Sequence, residues 1–481
     1  PKLRQLLVAL TFSDVGEDLT LDLRRWWAAL EAHSQFRLLD ASRPVLRQPE
    51  TMGEVALWRL AALLNEMGHP RESLGLQQYL VERYRRIGHR RKLGGALGNQ
   101  ARILMRTGEI DAAMSLLKEA EQLERASGDL TNLQSTLGNQ AQILAGLGKI
   151  EAAMALLKEQ EQICRETAYW PGLHHSLNAQ GNILHTRGDA KGALALYKEG
   201  ERIAREIGDT AGIEGSLGNQ AVVLIQCGDL KQAMTMLKAQ ERLCVELGDK
   251  RSMAGCLSNQ GIILKAVGNL DGAMKLYRDV ERIVRELDDQ GSLQTVLGNQ
   301  ALLLRRQGDL DGAMTLHREE ERICRRLGRV DSLQKCLGNQ AIVLYARGDL
   351  QGALSLWKQQ ERICREGGFV DGLQRALGNQ VGVLEAAGEY EPALSLLKEK
   401  ERICREINNP GSLAISLSGQ SYLLAKYLGR VHEALPLAEE AHRLCVQCRL
   451  ATIGKNVKEN LDFVRASAEN ASASGQADSA P

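Results

Sequence analysis

The polar residues best placed to do chemistry in this sequence return at a fixed interval. Asparagines stand at Asn99, Asn139, Asn219, Asn259, Asn299, Asn339 and Asn379, spaced by 40 residues or a multiple of 40, and a glutamine follows each one. A carboxamide offers a donor and an acceptor together, so an Asn ladder can pair with successive peptide groups whatever side chains they carry. The same amides can instead bond between adjacent helices, and the sequence leaves both uses open for the asparagines. Specificity would then come from the varying residues around the ladder. These are Arg102, Met105 and Arg106 early on, then His175, Asn178, Asn182 and His185, then Lys265, Arg305 and Arg306, Lys335 with Tyr345, and Arg375. The later members are basic, so an acidic peptide or a carboxyl terminus is the natural ligand of such a lining.

Other reactive residue types point away from catalysis and metal binding. His175 and His185 lie about three helical turns apart, roughly 15 Å of rise, too far for one ion. Five of the ten cysteines, Cys164, Cys244, Cys324, Cys364 and Cys404, share one repeat slot, which elsewhere holds Glu124, Ala204 or Val284. A slot of that kind is a small packing position, so core thiols in a reducing, cytoplasmic setting are expected. Cys445 and Cys448 have neither a second pair nor a nearby His pair, which makes a weak zinc signal. The Gly308–Gly312 turn, Gly-Asp-Leu-Asp-Gly, lacks the remaining ligands of a calcium loop and reads as helix capping. Arg83, Arg85, Arg86, Arg90, Arg91 and Lys92 cluster near one helix end, without the aromatic or glycine-rich partners of a phosphate site. No P-loop, Gly-x-Ser-x-Gly or His-Glu-x-x-His occurs. No catalytic residue, metal or cofactor is expected.

Composition agrees. The formal net charge is +1, which gives no bulk case for nucleic acid or an anionic membrane. No apolar run approaches the ~18 residues of a membrane span. The apolar share is 44% and the aromatic share only 4%, so packing rests on Leu, Ala, Ile, Val and Met.

The elements that must position these residues are set by the same period. Leu-Gly-Asn-Gln opens at Leu97, Leu137, Leu217, Leu297, Leu337 and Leu377, with altered copies at Leu177, Leu257 and Leu417. Self-similarity at this spacing means stacked repeats. In the unit from Leu297, a helix over about Ser292–Arg306 carries Leu293, Val296, Leu297, Ala301 and Leu304 on one face. Gly308 stops it and Asp309 caps the next N-terminus. A second helix, about Asp311–Leu327, buries Ala313, Met314, Leu316, Ile323 and Cys324, with Glu319, Glu320 and Glu321 on its polar face. The expected architecture is an all-α, right-handed solenoid of about ten antiparallel helix pairs. Its parts are an N-terminal helical cap or tail of an upstream domain (1–56), a degenerate first repeat (57–96), eight regular repeats (97–416), a last repeat with a capping helix (417–464) and a disordered tail (465–481). The cap is expected to include a helix over Leu19–Leu39 carrying Trp26, Trp27, Leu30 and Phe36. A start at Pro1 without Met suggests a processed or excised piece.

Leu97, Ala101, Gly108 and Ala113, and again Leu297, Ala301, Gly308 and Ala313, fit the large–small–glycine–small pattern of the tetratricopeptide repeat. Residues 57–450 resemble that family. Within it, Leu-Gly-Asn-Gln-Ala is similar to the string opening helix A in kinesin light chains, and Glu-Arg-Ile-Cys-Arg-Glu is similar to C-terminal arrays of bacterial signalling ATPases. Gln100 and its equivalents depart from the Leu usual at that position. The resemblance implies that helix A lines a groove and that the Asn ladder faces a ligand backbone; the Gln position would be core, tying neighbouring repeats. The functional expectation is a non-catalytic scaffold binding a peptide or partner segment, with a monomer favoured. The alternative is the ligand-sensing array of a larger signalling NTPase.

Overall fold

The computed structural model describes residue 43 and residues 45–66 and 68–477. The helix expected over Leu19–Leu39 lies outside the described residues. Two compact units, Pro1–Asp249 and Lys250–Pro481, divide the chain. In the first, helix pairs run Glu54–Glu66 with Pro70–Ile87, Arg90–Thr107 with Ile110–Ser127, Leu130–Gly146 with Ile150–Glu166, Trp170–Thr186 with Ala190–Glu206, and Thr210–Gln226 with Leu230–Leu247. In the second they run Lys250–Ala266 with Leu270–Glu286, Gln290–Arg306 with Leu310–Leu327, Val330–Ala346 with Leu350–Gly367, Val370–Ala386 with Tyr390–Glu406, and Pro410–Lys426 with Val431–Gln447. A last helix, Ala451–Ala477, follows. The first helix of each pair is here helix A and the second helix B. The fold is an all-α solenoid, without strands among the described residues. No helix among them is long and apolar enough to cross a membrane.

Turn chemistry fixes the period. The glycine between helices A and B takes a left-handed conformation, with φ 86° at Gly308, which a β-carbon would strain. Asp309 follows and its carboxylate accepts from the Gly312 amide at 2.8 Å, satisfying one orphan donor of helix B. Asp189, Asp209, Asp229 and Asp349 cap other helices in the same way. Ala168 and Asp288 take the same left-handed conformation at turns between pairs, with φ near 50°, where other repeats place Gly128, Gly208 or Gly328.

Packing follows the apolar periodicity. Leu297, Ala301, Ala313 and Cys324 are fully buried. The two alanines let helices A and B cross closely. Each fully buried leucine contributes about 1.5–3 kcal/mol. Side-chain size is exchanged across this crossing. An added Cβ at Gly181 would lie 2.6 Å from the Tyr197 ring, and one at Gly261 would lie 2.5 Å from the Tyr277 ring. Ala101 and Ala141 occupy the same position opposite Leu117 and Leu157.

The last helix packs Val457, Leu461 and Val464 into the core, and Asn460 donates to the Ser418 carbonyl at 3.0 Å and to Ser421 Oγ at 2.8 Å. It runs to Ala477, into the stretch expected to be disordered. That stretch is rich in alanine, the strongest helix former, and it continues a turn already anchored by Val464.

Candidate functional site

Within the Leu-Gly-Asn-Gln string the glutamine joins repeats. Its amide donates to a glutamate on helix B of the preceding pair: Gln140 to Glu121 at 2.7 Å, Gln180 to Glu161 at 2.7 Å, Gln220 to Glu201 at 2.7 Å, Gln300 to Glu281 at 2.9 Å, Gln340 to Glu321 at 2.7 Å, Gln380 to Glu361 at 2.6 Å and Gln420 to Glu401 at 2.7 Å. The second carboxylate oxygen of several of these glutamates takes an arginine one turn on, which reaches the next helix B. Arg125 bridges Glu121 to Glu159 at 2.7 Å, and Arg285 bridges Glu281 to Glu319 at 2.8 Å. A charged bond to a buried amide holds the stack in register.

The glycine of the string makes room for the repeat's own helix B, and not for a ligand backbone. An added Cβ at Gly138 would lie 2.8 Å from Gln160 Nε2, at Gly218 2.7 Å from Gln240 Nε2, at Gly298 2.8 Å from Glu320 Oε1, and at Gly338 2.7 Å from Gln360 Oε1. These helix B residues are buried, and they bond a helix A partner four residues before the glycine. Gln160 donates to Gln134 at 3.2 Å, Gln240 to Glu214 at 2.5 Å, Gln294 to Glu320 at 2.9 Å, and Gln360 to Gln334 at 3.0 Å. Where helix A carries Asn178 instead of glycine, helix B carries Gly200, and a Cβ there would sit 3.1 Å from the Asn178 amide. Asn178 turns to His174, whose Nε2 lies 2.7 Å from the amide, 3.1 Å from Ser216 Oγ and 3.2 Å from the Gly212 carbonyl. Burial pushes the His174 imidazole toward its neutral form.

The asparagines stand apart. Asn99, Asn139, Asn299, Asn339 and Asn379 are half-buried, and none makes a side-chain hydrogen bond among the described residues. Asn219 meets only Asn178, at 3.4 Å. Asn259 is half-buried as well. Two of these amides enter a pocket region of the second unit. A pocket of about 840 Å³ is lined by Lys335, Gln374, Arg375, Asn379 and Lys400 among others, and a smaller one of about 210 Å³ shares Lys335, Arg375 and Asn379 and adds Asn339. Lys335 is paired with Asp331 at 2.7 Å, while Arg375 has no ion pair among the described residues. Lys400 is buried at 9% exposure, and burial holds its amine below the ordinary lysine range.

The remaining candidates do not converge there. Arg102 and His175 are exposed. Arg106 donates to the Asn65 carbonyl at 2.9 Å, His185 meets Gln226 at 2.6 Å, and Asn182 accepts from the Tyr197 hydroxyl at 2.6 Å, so these three hold the fold of the first unit. Lys265 is half-buried, and burial and then the charge of Arg306 hold its amine below the usual range. Arg305 and Arg306 lie on the same helix, outside both pockets. Tyr345 rests against Trp357 with ring centroids 5.9 Å apart. In the early basic cluster, Arg85 pairs with Glu119, Arg91 with Asp129 and Lys92 with Glu54.

Sequence reading placed Glu320 on a polar face, yet it is buried with His317 and Cys336, and their ligand atoms lie within 4.8 Å of one another. Internal bonds already use these groups: His317 Nδ1 lies 2.8 Å from Glu320 Oε2, and the Cys336 thiol donates to the His317 carbonyl at 3.1 Å. Burial, and then the charge of Glu320, hold that thiol strongly in its protonated form, which opposes metal ligation. The five cysteines of the shared repeat slot are buried thiols, and none of them is in a disulfide among the described residues.

The tetratricopeptide repeat family model matches residues 335–359, which include Lys335 and Asn339. The chain has a tetratricopeptide-repeat fold. Among solved structures it is similar to a signal transduction ATPase with numerous domains, with a tetratricopeptide repeat sensor, from Pyrococcus horikoshii; identity is 12%, TM-score 0.57, and the match covers 76% of this chain and 55% of that one. This chain therefore spans about half of the Pyrococcus protein. It is also similar to the apo form of the quorum sensor NprR from B. thuringiensis, at 14% identity and TM-score 0.51, over 70% of this chain and 98% of that one. At such identities the likeness is one of fold. No curated protein sequence matches the chain.

Proposed function

We propose that this tetratricopeptide-repeat chain is a non-catalytic binding module whose helix A face captures an extended, acidic peptide or partner segment. One observation carries the reading: Asn339 and Asn379, 40 residues apart on successive A helices, keep unpaired amides beside Lys335 and Arg375. An amide without an internal partner is free to bond a peptide group, and adjacent cations select against basic sequences. Asn99, Asn139 and Asn299 extend the same chemistry within their own units.

A second reading is a ligand-sensing array within a larger signalling protein. The likeness to the Pyrococcus sensor, of which this chain spans about half, favours it.

Fluorescence anisotropy against a panel of acidic, neutral and basic peptides tests the first reading. Acidic peptides should bind best, and Asn339→Ala with Asn379→Ala should weaken them roughly tenfold, from about 0.5–1.5 kcal/mol per lost hydrogen bond. Lys335→Ala with Arg375→Ala should flatten the salt dependence. Equal binding of basic peptides, or no loss in the Asn variants, overturns the proposal.

A further inference from the structure

The helix B slot that faces the string's glycine is filled by a bonded amide or carboxylate in four repeats: Gln160, Gln240, Glu320 and Gln360. In the next repeat it is Lys400, and the internal bond is missing. Lys400 is buried at 9% exposure, with its amine against Gly378, where an added Cβ would lie 3.1 Å from Nζ. It makes no hydrogen bond or ion pair among the described residues. Its expected partner, Gln374, is 4% exposed and accepts at Oε1 from the Cys404 thiol at 3.4 Å, while its Nε2 donor is buried and unsatisfied. Arg375, the next residue, is also unpaired. All three line the 840 Å³ pocket.

An uncompensated buried cation costs several kcal/mol unless something answers its charge. The acids in the pocket wall do not do so. Asp331 is taken by Lys335 at 2.7 Å, and Asp371 is an exposed residue in the first turn of its helix. The unmet groups are donors only: an ammonium, a guanidinium and an amide N–H. What satisfies all three is an oxyanion.

We propose that the pocket between Lys335 and Ser412 is an oxyanion-binding site, in which Lys400 at the floor pairs with a carboxylate or phosphate group while Gln374 Nε2 and Arg375 hold its remaining oxygens. This deepens the capture reading by naming the group that enters the face; the two share Arg375, but the oxyanion site rests on Lys400 and Gln374. Charge-assisted hydrogen bonds are roughly twice as strong as neutral ones, so a set of this kind favours an anion over its neutral isostere.

Lys400→Gln is the informative variant, because it rebuilds the amide pair seen at Gln334 and Gln360 and so should fold. Isothermal titration of the full chain uses two probes, inorganic phosphate and acetate. Saturable binding of at least one is expected in the unaltered chain, with a loss of roughly tenfold or more in Lys400→Gln and a smaller loss in Arg375→Gln. The tighter probe identifies the tetrahedral or the planar anion as the preferred group. Equal binding by Lys400→Gln, or no saturable binding of either probe by the unaltered chain, overturns the site. If neither anion binds while acidic peptides still bind through Asn339 and Asn379, the oxyanion site fails and the capture reading stands. Anion binding without peptide binding sinks the capture reading and leaves the site.

Discussion

Replacing Gly338 by alanine separates the packing role of the string's glycine from ordinary helix propensity. Gly338 lies inside the helix Val330–Ala346, where Gly→Ala without contacts stabilises by about 0.5–1 kcal/mol. Here the new Cβ would meet Gln360 Oε1 at 2.7 Å and Nε2 at 2.8 Å. Gln360 is 3% exposed and donates to Gln334 at 3.0 Å, so displacing its amide gives up that bond. Stranding a buried amide costs about 1–3 kcal/mol. The sum is a net loss of up to about 2.5 kcal/mol, which cancels or reverses the propensity gain. Gly382 is the control: it lies in the helix Val370–Ala386 with nothing within 4 Å of an added Cβ, so Gly382→Ala should stabilise by about 0.5–1 kcal/mol. In a Gln360→Val background, which copies the Val280 facing Ser258, Gly338→Ala should recover its propensity gain, giving a favourable coupling of about 1 kcal/mol or more. Urea unfolding followed by circular dichroism reads the midpoint. Hydrogen exchange of the two helices guards against stepwise unfolding of the array. A Gly338→Ala midpoint raised as far as that of Gly382→Ala refutes the reasoning.

Two further outcomes follow from local chemistry. Glu124 fills the slot that five repeats give to cysteine; burial, and then the charges of Asp129 and Glu121, push its carboxyl up to about 7. The folded state therefore holds a proton that the unfolded chain releases near 4.5, and stability falls as pH rises from there to about 7. Glu124→Cys should gain on the parent across that window, by about 1–3 kcal/mol at its upper end, in melts run from pH 4.5 to 8. An advantage independent of pH would contradict the burial argument. Ala168→Gly should raise the melting temperature, because φ 51° strains an L residue, and the gain is about 0.5–1 kcal/mol after the entropy of a freer unfolded chain; a lower melting temperature would show the turn is unstrained.

The period, the capping aspartates and the apolar faces were legible because each is a local rule repeated many times. The Leu297, Ala301, Gly308 and Ala313 pattern led directly to two helices crossing at their small residues. The tie made by the glutamines was also legible, since a polar group at a core position must find a partner. What stayed hidden were the buried residues Glu320, His317 and Lys400. Amphipathic reading assigns charge to solvent, and Glu320 between Glu319 and Glu321 looked like any surface acid. A signal was present inside the chain itself. Asn178 with Gly200, against Gly138 with Gln160, is an exchange of size between positions 22 residues apart, outside any single helix period. Comparing those columns across repeats would have placed Lys400 opposite Gly378.

That exchange also changes what the asparagines mean. Leucine packs the helix pair, glycine is sized by its own helix B, and glutamine is held by the preceding repeat's glutamate. Each of these has a structural reason to recur. Asparagine has none among the described residues: its amide is half-buried and unbonded at Asn99, Asn139, Asn299, Asn339 and Asn379. A half-buried amide without a partner gains nothing for the fold over a serine or lysine, and neighbouring helix A positions such as Arg102, Gln142 and Leu302 do vary freely. The repeat loses this residue at Ala179 and at Gly419, and at Ala179 the change comes with Asn178 and His174 closing a bonded cluster beside it. Recurrence without an internal partner is what a position kept for something outside the chain would show, so loss of Asn339 and Asn379, and not of the glutamines, should weaken capture of a ligand.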